Sequence, residues 1–295
     1  MTITAMNKPN TRALLRSKVQ ARQGLLVPGA FNALSARVVA DMGFEAVYLS
    51  GAGLTNMLYG LPDLAFIGLQ DVAQATAAIR GAVNIPLIVD ADTGFGNALN
   101  VAHTVKVLER AGADALQLED QVFPKRCGHF SGKEVAPLSE MIGKIHAAVD
   151  ARLDENFMVI ARTDARSSLG FEAAVERAMR MAEAGADMLF VEAPETLDEV
   201  RQLPALLDTP QVMNIVVGGK TPTLAQSELA ALGYGMVLYA NTGLQGALLG
   251  MQKALGVLRA DGIVHEDPSL LVPFLERQRL VDKPAFDAMD KKYGA

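Results

Sequence analysis

The sequence predicts an α/β fold, a (β/α)8 TIM-type barrel with extra C-terminal helices, and three observations carry that prediction. The first is an internal echo. "DMGFEAVYLS" (41–50), "RAGADALQLE" (110–119), "EAGADMLFVE" (183–192) and "ALGYGMVLYA" (231–240) each run a helical segment into a glycine, a short step and a mostly apolar run. The second is that these apolar runs barely alternate, as befits parallel strands covered on both faces. The third is the count: eight strands, each followed by an amphipathic helical stretch, fit one closed parallel sheet.

"LLVPGA" (25–30) is the first strand, followed by a helix over 32–42 that ends at Gly43. "DMGFEAVYLS" closes on the second strand, with a helix over 70–82; "PLIVDAD" (86–92) and 98–111 make the third pair. "RAGADALQLE" closes on the fourth strand, with a helix over 138–152, and "FMVIARTD" (157–164) pairs with 172–184. "EAGADMLFVE" ends in the sixth strand, followed by 195–206; "QVMNIV" (211–216) precedes 223–232, and "ALGYGMVLYA" precedes 244–260. Gly43, Gly112, Gly185 and Gly233 fit the left-handed position just past a helix end. A doubly wound open sheet is the rival fold. It would usually show a G-x-G-x-x-G turn after the first strand, and "PGAFNALSA" is not one. Residues 262–295 are too apolar for a solvated tail and too short for a domain, so they should pack on the barrel or on a neighbouring subunit. With no linker or low-complexity stretch, 1–295 reads as one domain with a helical extension over 262–295.

Half of the 295 residues are apolar and the formal charge is −6, which gives no reason to expect nucleic-acid or anionic-membrane binding. A single cysteine allows no intrachain disulfide, and the N-terminus has no apolar signal region, so a soluble cytoplasmic protein is expected.

Barrel chemistry gathers at the C-terminal ends of the strands. Those ends carry Ser50, Gly51 and Ala52, then Asp90 and Asp92, Glu119, Arg162, Glu192, Asn214 and Asn241. Asp90 and Asp92 are two apart and would point the same way from an extended backbone, with Glu119 on the adjacent strand. Converging carboxylates need a cation, and hard oxygen ligands suit Mg2+ or Mn2+. The rival reading makes Asp92-Thr93-Gly94 a turn before a helix that starts near Asn97.

The loop "FPKRCGHFSGK" (123–133) holds the lone Cys127 among Lys125, Arg126 and His129. These charges favour the thiolate and could bind substrate carboxylates. The rival reading is a surface loop in which the cysteine has no role.

"VDADTGFGNALNV" followed by "LEDQVFPKRCGH" resembles the isocitrate lyase / phosphoenolpyruvate mutase superfamily, and the likeness extends from "PGAFNALSARV" through "ARTDA" and "FVEAP" to "GKTP". Within it the chain is most similar to the 2,3-dimethylmalate lyase and 2-methylisocitrate lyase groups. The resemblance implies Mg2+ (Mn2+ possible) held at Asp92 with Asp90 and Glu119, and Asp63 and Gln117 close behind. It implies that Ser50, Gly51 and Ala52 present donors to an α-keto acid half and that Arg162 binds a carboxylate; apart from the resemblance, Phe31 or Tyr48 is expected to line the pocket and contact substrate. Cys127 would exchange a proton with the released carbon, while Lys125, Arg126, Gly128 and His129 close over the second carboxylate near Glu192 and Asn214. The implied activity is a Mg2+-dependent carbon–carbon lyase acting on a small di- or tricarboxylate. The implied assembly is a homotetramer, a dimer of dimers, with C-terminal helices exchanged between paired subunits.

Two positions depart from the pattern. Tricarboxylate lyases place a hydroxyl residue two after the strand-seven asparagine, where this chain has Val216. That favours a diacid such as 2,3-dimethylmalate. Gln117 stands where the isocitrate and methylisocitrate cleavers have a histidine, and an amide cannot titrate. Oxaloacetate hydrolysis or decarboxylation is the alternative within the superfamily, and a non-catalytic scaffold the alternative outside it.

Overall fold

The computed structural model describes residues 10–126 and 134–294. Eight parallel strands form the sheet: β1 (Leu25–Ala30), β2 (Val47–Leu49), β3 (Leu87–Asp90), β4 (Ala115–Glu119), β5 (Met158–Thr163), β6 (Met188–Val191), β7 (Val212–Asn214) and β8 (Met236–Tyr239). Their spatial order is β6-β5-β4-β3-β2-β1-β8-β7, and a parallel bridge between Leu189 and Gln211 nearly closes the ring. The chain is therefore a (β/α)8 barrel.

Helix α1 (Thr11–Gln20) precedes the sheet, α2 (Ala33–Asp41) follows β1, and both α3 (Gly51–Tyr59) and α4 (Leu69–Ala82) follow β2. Then come α5 (Ala98–Ala111), α6 (Leu138–Ala151), α7 (Arg166–Leu169), α8 (Phe171–Glu183), α9 (Leu197–Leu206) and α10 (Gln226–Leu232). The C-terminal part is α11 (Thr242–Asp261), α12 (Phe274–Leu280) and α13 (Lys283–Tyr293). Among the described residues no helix is long and apolar enough to cross a membrane.

The elements read from local signals fall where expected. Helix α5 starts at the cap Asn97, whose side chain accepts from the Leu99 and Asn100 amides, and stops at Gly112 with φ +105°. Gly43, Gly185 and Gly233 share that left-handed geometry, at φ +83°, +100° and +94°. Gly29 answers a different need: a Cβ there would lie 1.8 Å from the Ala240 carbonyl oxygen, so β1 and β8 can pack this closely only around a glycine.

Apolar side chains fill two layers. One lies between sheet and helices; the other fills the barrel with Tyr48, Ile88, Met158, Ile160, Phe190 and Met236. Leu15 and Val19 of α1 join the inner layer with no exposed surface. That helix is mostly polar, and the reading of the sequence assigned no element to 11–20; the two buried side chains make it a plug.

Register sets the site. Asp90 pairs with Gln117, Glu119 with Arg162, and Arg162 with Phe190, so these side chains stand level around the same end of the barrel.

Candidate active site

At that end the strands enclose a cavity of about 60 Å3. Its wall includes Tyr48, Ser50, Ala52, Asp63, Asp90, Glu119, Lys125, Arg126, Arg162, Glu192 and Asn214, all singled out from the sequence. Asp92, Gln117 and Gly51 stand directly behind it. Cys127, Gly128 and His129 lie outside the described residues. Three wall residues carry no role in the sequence reading, Phe190, Leu238 and Ala240; Val216 and Asn241, singled out there as a substrate-selecting position and a strand end, also stand on the wall. Phe190 was findable, because it precedes Glu192 by two on a strand and shares its face.

Ser50 ends β2 and caps α3. Its hydroxyl oxygen accepts from the Gly53 amide at 3.0 Å and its proton goes to Asn241 Oδ1 at 3.2 Å. The Gly51 amide donates to Asp90 Oδ2 at 3.2 Å, so the start of this helix already neutralises part of a carboxylate. Asp90 Oδ1 accepts from the Asp92 amide at 3.2 Å and from Gln117 Nε2 at 3.5 Å. Gln117 Oε1 in turn accepts from the Tyr48 hydroxyl at 2.9 Å. An amide suits this place because it both accepts from Tyr48 and donates to Asp90. Burial, followed by the charge of Asp90, pushes the Tyr48 phenol well above its ordinary range, which keeps it a proton donor.

Asp90 and Asp92 do converge, by another route than the two-residue period. The strand ends at Asp90, and Asp92 turns back with φ +47°. A Cβ placed on Gly51 would meet Asp90 Oδ2 at 3.1 Å and Asp92 Oδ1 at 3.3 Å, so both carboxylates face one point. Burial pushes the Asp92 carboxyl up to about 7 against the pull of Lys125, with Asp90 adding to the rise. Burial likewise raises Glu119 well above its usual range, although Arg162 pulls it down.

Lys125 reaches into this group. Its ammonium pairs with Asp63 and lies 2.9 Å from Asp92 Oδ1. Burial disfavours that charge, but Asp92, Glu119, Asp90 and Asp63 together outweigh it and hold the pKa above the normal lysine value. The Gln121 side chain clamps the neighbouring backbone, accepting from the Arg126 amide at 2.9 Å and donating to its carbonyl at 2.8 Å.

Hard oxygen donors gather at this end of the barrel. Glu119 Oε1 is buried and accepts no hydrogen bond, while Asp92 Oδ1, equally buried, faces the Lys125 ammonium at 2.9 Å, so one hard oxygen awaits a partner and the other is charge-paired. Among the described residues no three His, Cys, Asp or Glu side chains surround a common metal position. The residues therefore fit an ion bound by one or two carboxylates that keeps several waters, as Mg2+ does.

Arg162 carries the opposite charge. Asp164 grips it through Nε at 2.9 Å and Nη2 at 3.1 Å; Glu119 lies 3.3 Å from Nη1 and Glu192 3.9 Å from Nη2. The guanidinium carbon is 5.1 Å from the centre of the Phe190 ring.

Residues 15–258 match the family model described as phosphoenolpyruvate phosphomutase. The chain belongs to that family. It is 38% identical over 284 residues to 2,3-dimethylmalate lyase of Eubacterium barkeri, covering 96% of this chain and 98% of the relative. It is 44% identical over 249 residues to 2-methylisocitrate lyase of Aeropyrum pernix, covering 84% and 80%. Oxaloacetate acetylhydrolase solved with 3,3-difluorooxalacetate superposes with a TM-score of 0.91 at 32% identity, covering 97% of this chain and 98% of that one. Phosphonopyruvate hydrolase solved with oxalate and Mg2+ gives 0.86 at 32%, covering 96% and 99%. A superfamily that joins phosphoenolpyruvate mutase and isocitrate lyase thus spans the whole barrel.

Proposed function

We propose that this family member is a Mg2+-dependent carbon–carbon lyase that splits a substituted malate, of the 2,3-dimethylmalate type, into pyruvate and a second carboxylate. The observation that carries this is the charge arrangement in the cavity. Among the described residues, Lys125, Arg126 and Arg162 meet four acidic residues on the wall, Asp63, Asp90, Glu119 and Glu192, with Asp92 and Asp164 paired to Lys125 and Arg162 from outside it. A dianion would be repelled from such a site unless a divalent cation entered with it. Asp92, Asp90 and Glu119 would hold that ion, which would polarise the substrate's hydroxyl and carboxylate oxygens.

The chain's own groups account for the remainder. Arg162 binds the carboxylate next to the reacting carbon. Loss of the C2 hydroxyl proton breaks the C2–C3 bond, giving a keto acid and a carbanion beside a carboxylate. Cationic groups fixed in a water-poor cavity stabilise that charge far better than water does. The resemblance gives Cys127 the protonation of the carbanion. Phe190, Val216, Leu238 and Ala240 make one side of the wall apolar, which suits alkyl substituents better than a third carboxylate. The relative named for 2,3-dimethylmalate supports this choice.

Oxaloacetate hydrolysis is the second reading, favoured by the close superposition on oxaloacetate acetylhydrolase. The protein would act in the cytoplasm on a small carboxylate, not on nucleic acid or membrane. It would assemble as a dimer of dimers, for α11 to α13 leave Leu255, Phe274, Leu275 and Phe286 exposed. The test is pyruvate release, coupled to lactate dehydrogenase, from 2,3-dimethylmalate and 2-methylisocitrate with Mg2+, with isocitrate followed by glyoxylate formation and oxaloacetate by its enol absorbance. Pyruvate from dimethylmalate above the others supports the proposal. Turnover of oxaloacetate alone replaces it with the second reading.

A further inference from the structure

We infer that Asp164 is a positioning residue, which holds the guanidinium of Arg162 by its Nε–Nη2 edge and so turns the Nη1 end, where Glu119 also stands at 3.3 Å, toward a substrate carboxylate. Asp164 is fully buried and does not line the cavity, whereas Arg162 does. Both carboxylate oxygens are used, one on Nε at 2.9 Å and one on Nη2 at 3.1 Å. Such a fork sets the plane of the guanidinium as well as its place. The Phe190 ring, 5.1 Å from the guanidinium carbon, limits movement out of that plane.

Asp164 is itself held from behind. Its amide donates to Asp120 Oδ1 at 2.9 Å, and Asp120 Oδ2 accepts from Thr163 Oγ1 at 2.7 Å and from Arg177 Nε at 2.9 Å. Arg177, on α8, also donates through Nη2 to the Ala136 carbonyl at 2.9 Å. A chain of buried, mutually satisfied groups therefore runs from α8 to Arg162. Its consequence is a binding mode: with the Nε edge taken, a substrate carboxylate approaches Arg162 end-on.

This rests on the proposal that the cavity binds carboxylates, and the test separates the two. Oxalate binding in Mg2+ buffer is measured by calorimetry for the wild-type chain, Asp164→Asn and Asp164→Ser, with thermal melting as the fold check. The substitutions should weaken oxalate by about 30-fold, within the roughly 10- to 150-fold that losing one hydrogen bond to a charged group costs. With 2,3-dimethylmalate, KM should rise by a similar factor while kcat changes little, the signature of lost uniform binding. Asp164→Glu, which restores a carboxylate, should recover most of the loss. If wild-type protein binds no oxalate, the carboxylate site falls and this inference falls with it. If wild-type protein binds oxalate and either folded variant matches it within about twofold, Asp164 is only structural and the inference alone is overturned. The Ser variant decides should the Asn variant not fold.

Discussion

Val216→Ser is the substitution that most sharply tests how the cavity chooses its substrate. Val216 is half-buried, two residues past Asn214, and stands on the cavity wall. A serine hydroxyl there can donate to a third carboxylate, and a hydrogen bond to a charged group contributes about 1.5–3 kcal/mol. That corresponds to about a 10- to 150-fold gain in kcat/KM for 2-methylisocitrate. The same change removes apolar surface from the wall; at about 0.8 kcal/mol per methylene, turnover of 2,3-dimethylmalate should drop about fourfold. The ratio of the two kcat/KM values should therefore move toward the tricarboxylate by about 40-fold or more. Initial rates of pyruvate release on both substrates, with wild-type and variant protein side by side, measure it. A ratio that stays within about threefold refutes the reasoning, because some other group then receives the third carboxylate.

Three further outcomes follow from the geometry. Asp92→Asn should weaken Mn2+ binding, read by the loss of the free-ion electron paramagnetic resonance signal, by about tenfold or more, while the melting temperature holds or rises because a buried charge is gone. Leu15→Ala empties part of the barrel plug and should lower unfolding free energy in urea by about 3–5 kcal/mol, with substrate affinity unchanged in the remaining folded protein. Asp71 accepts from the Gly68 amide at the start of α4 and from the Tyr59 hydroxyl, and these bonds, the amide foremost, hold its carboxyl below the ordinary range. Its contribution, about 1 kcal/mol, is present above the unfolded aspartate value and lost as pH falls through the lower folded one, so wild type and Asp71→Ala should converge in stability as pH drops below the ordinary aspartate range.

What the sequence disclosed and what it hid divide along physical lines. Asn97, Gly112 and the other helix-ending glycines act within one turn of chain, so α5 and its neighbours were readable in place. Helix α3 was not, for the sequence reading placed no helix between the second strand and 70–82; Ser50 caps it and the Gly51 amide meets Asp90, a residue 39 positions away. The strand-end rule found most of the cavity wall, since it depends only on strand limits and direction. It misjudged how Asp92 arrives, because a left-handed turn replaces the extended backbone that the spacing assumed. Lys125 was legible as a cation near a substrate, but its ion pairs with Asp63 and Asp92 depend on barrel closure. The same holds for Asp164, Asp120 and Arg177, whose pairing crosses from α8 to two strands.

The most direct test of the central claim is proton NMR of 2,3-dimethylmalate incubated with the protein and Mg2+ in D2O. Carbon–carbon cleavage predicts pyruvate and propionate in equal amounts, with one deuterium at C2 of the propionate from the group that quenches the carbanion. Unchanged substrate, or loss of CO2 without propionate, would contradict the lyase assignment.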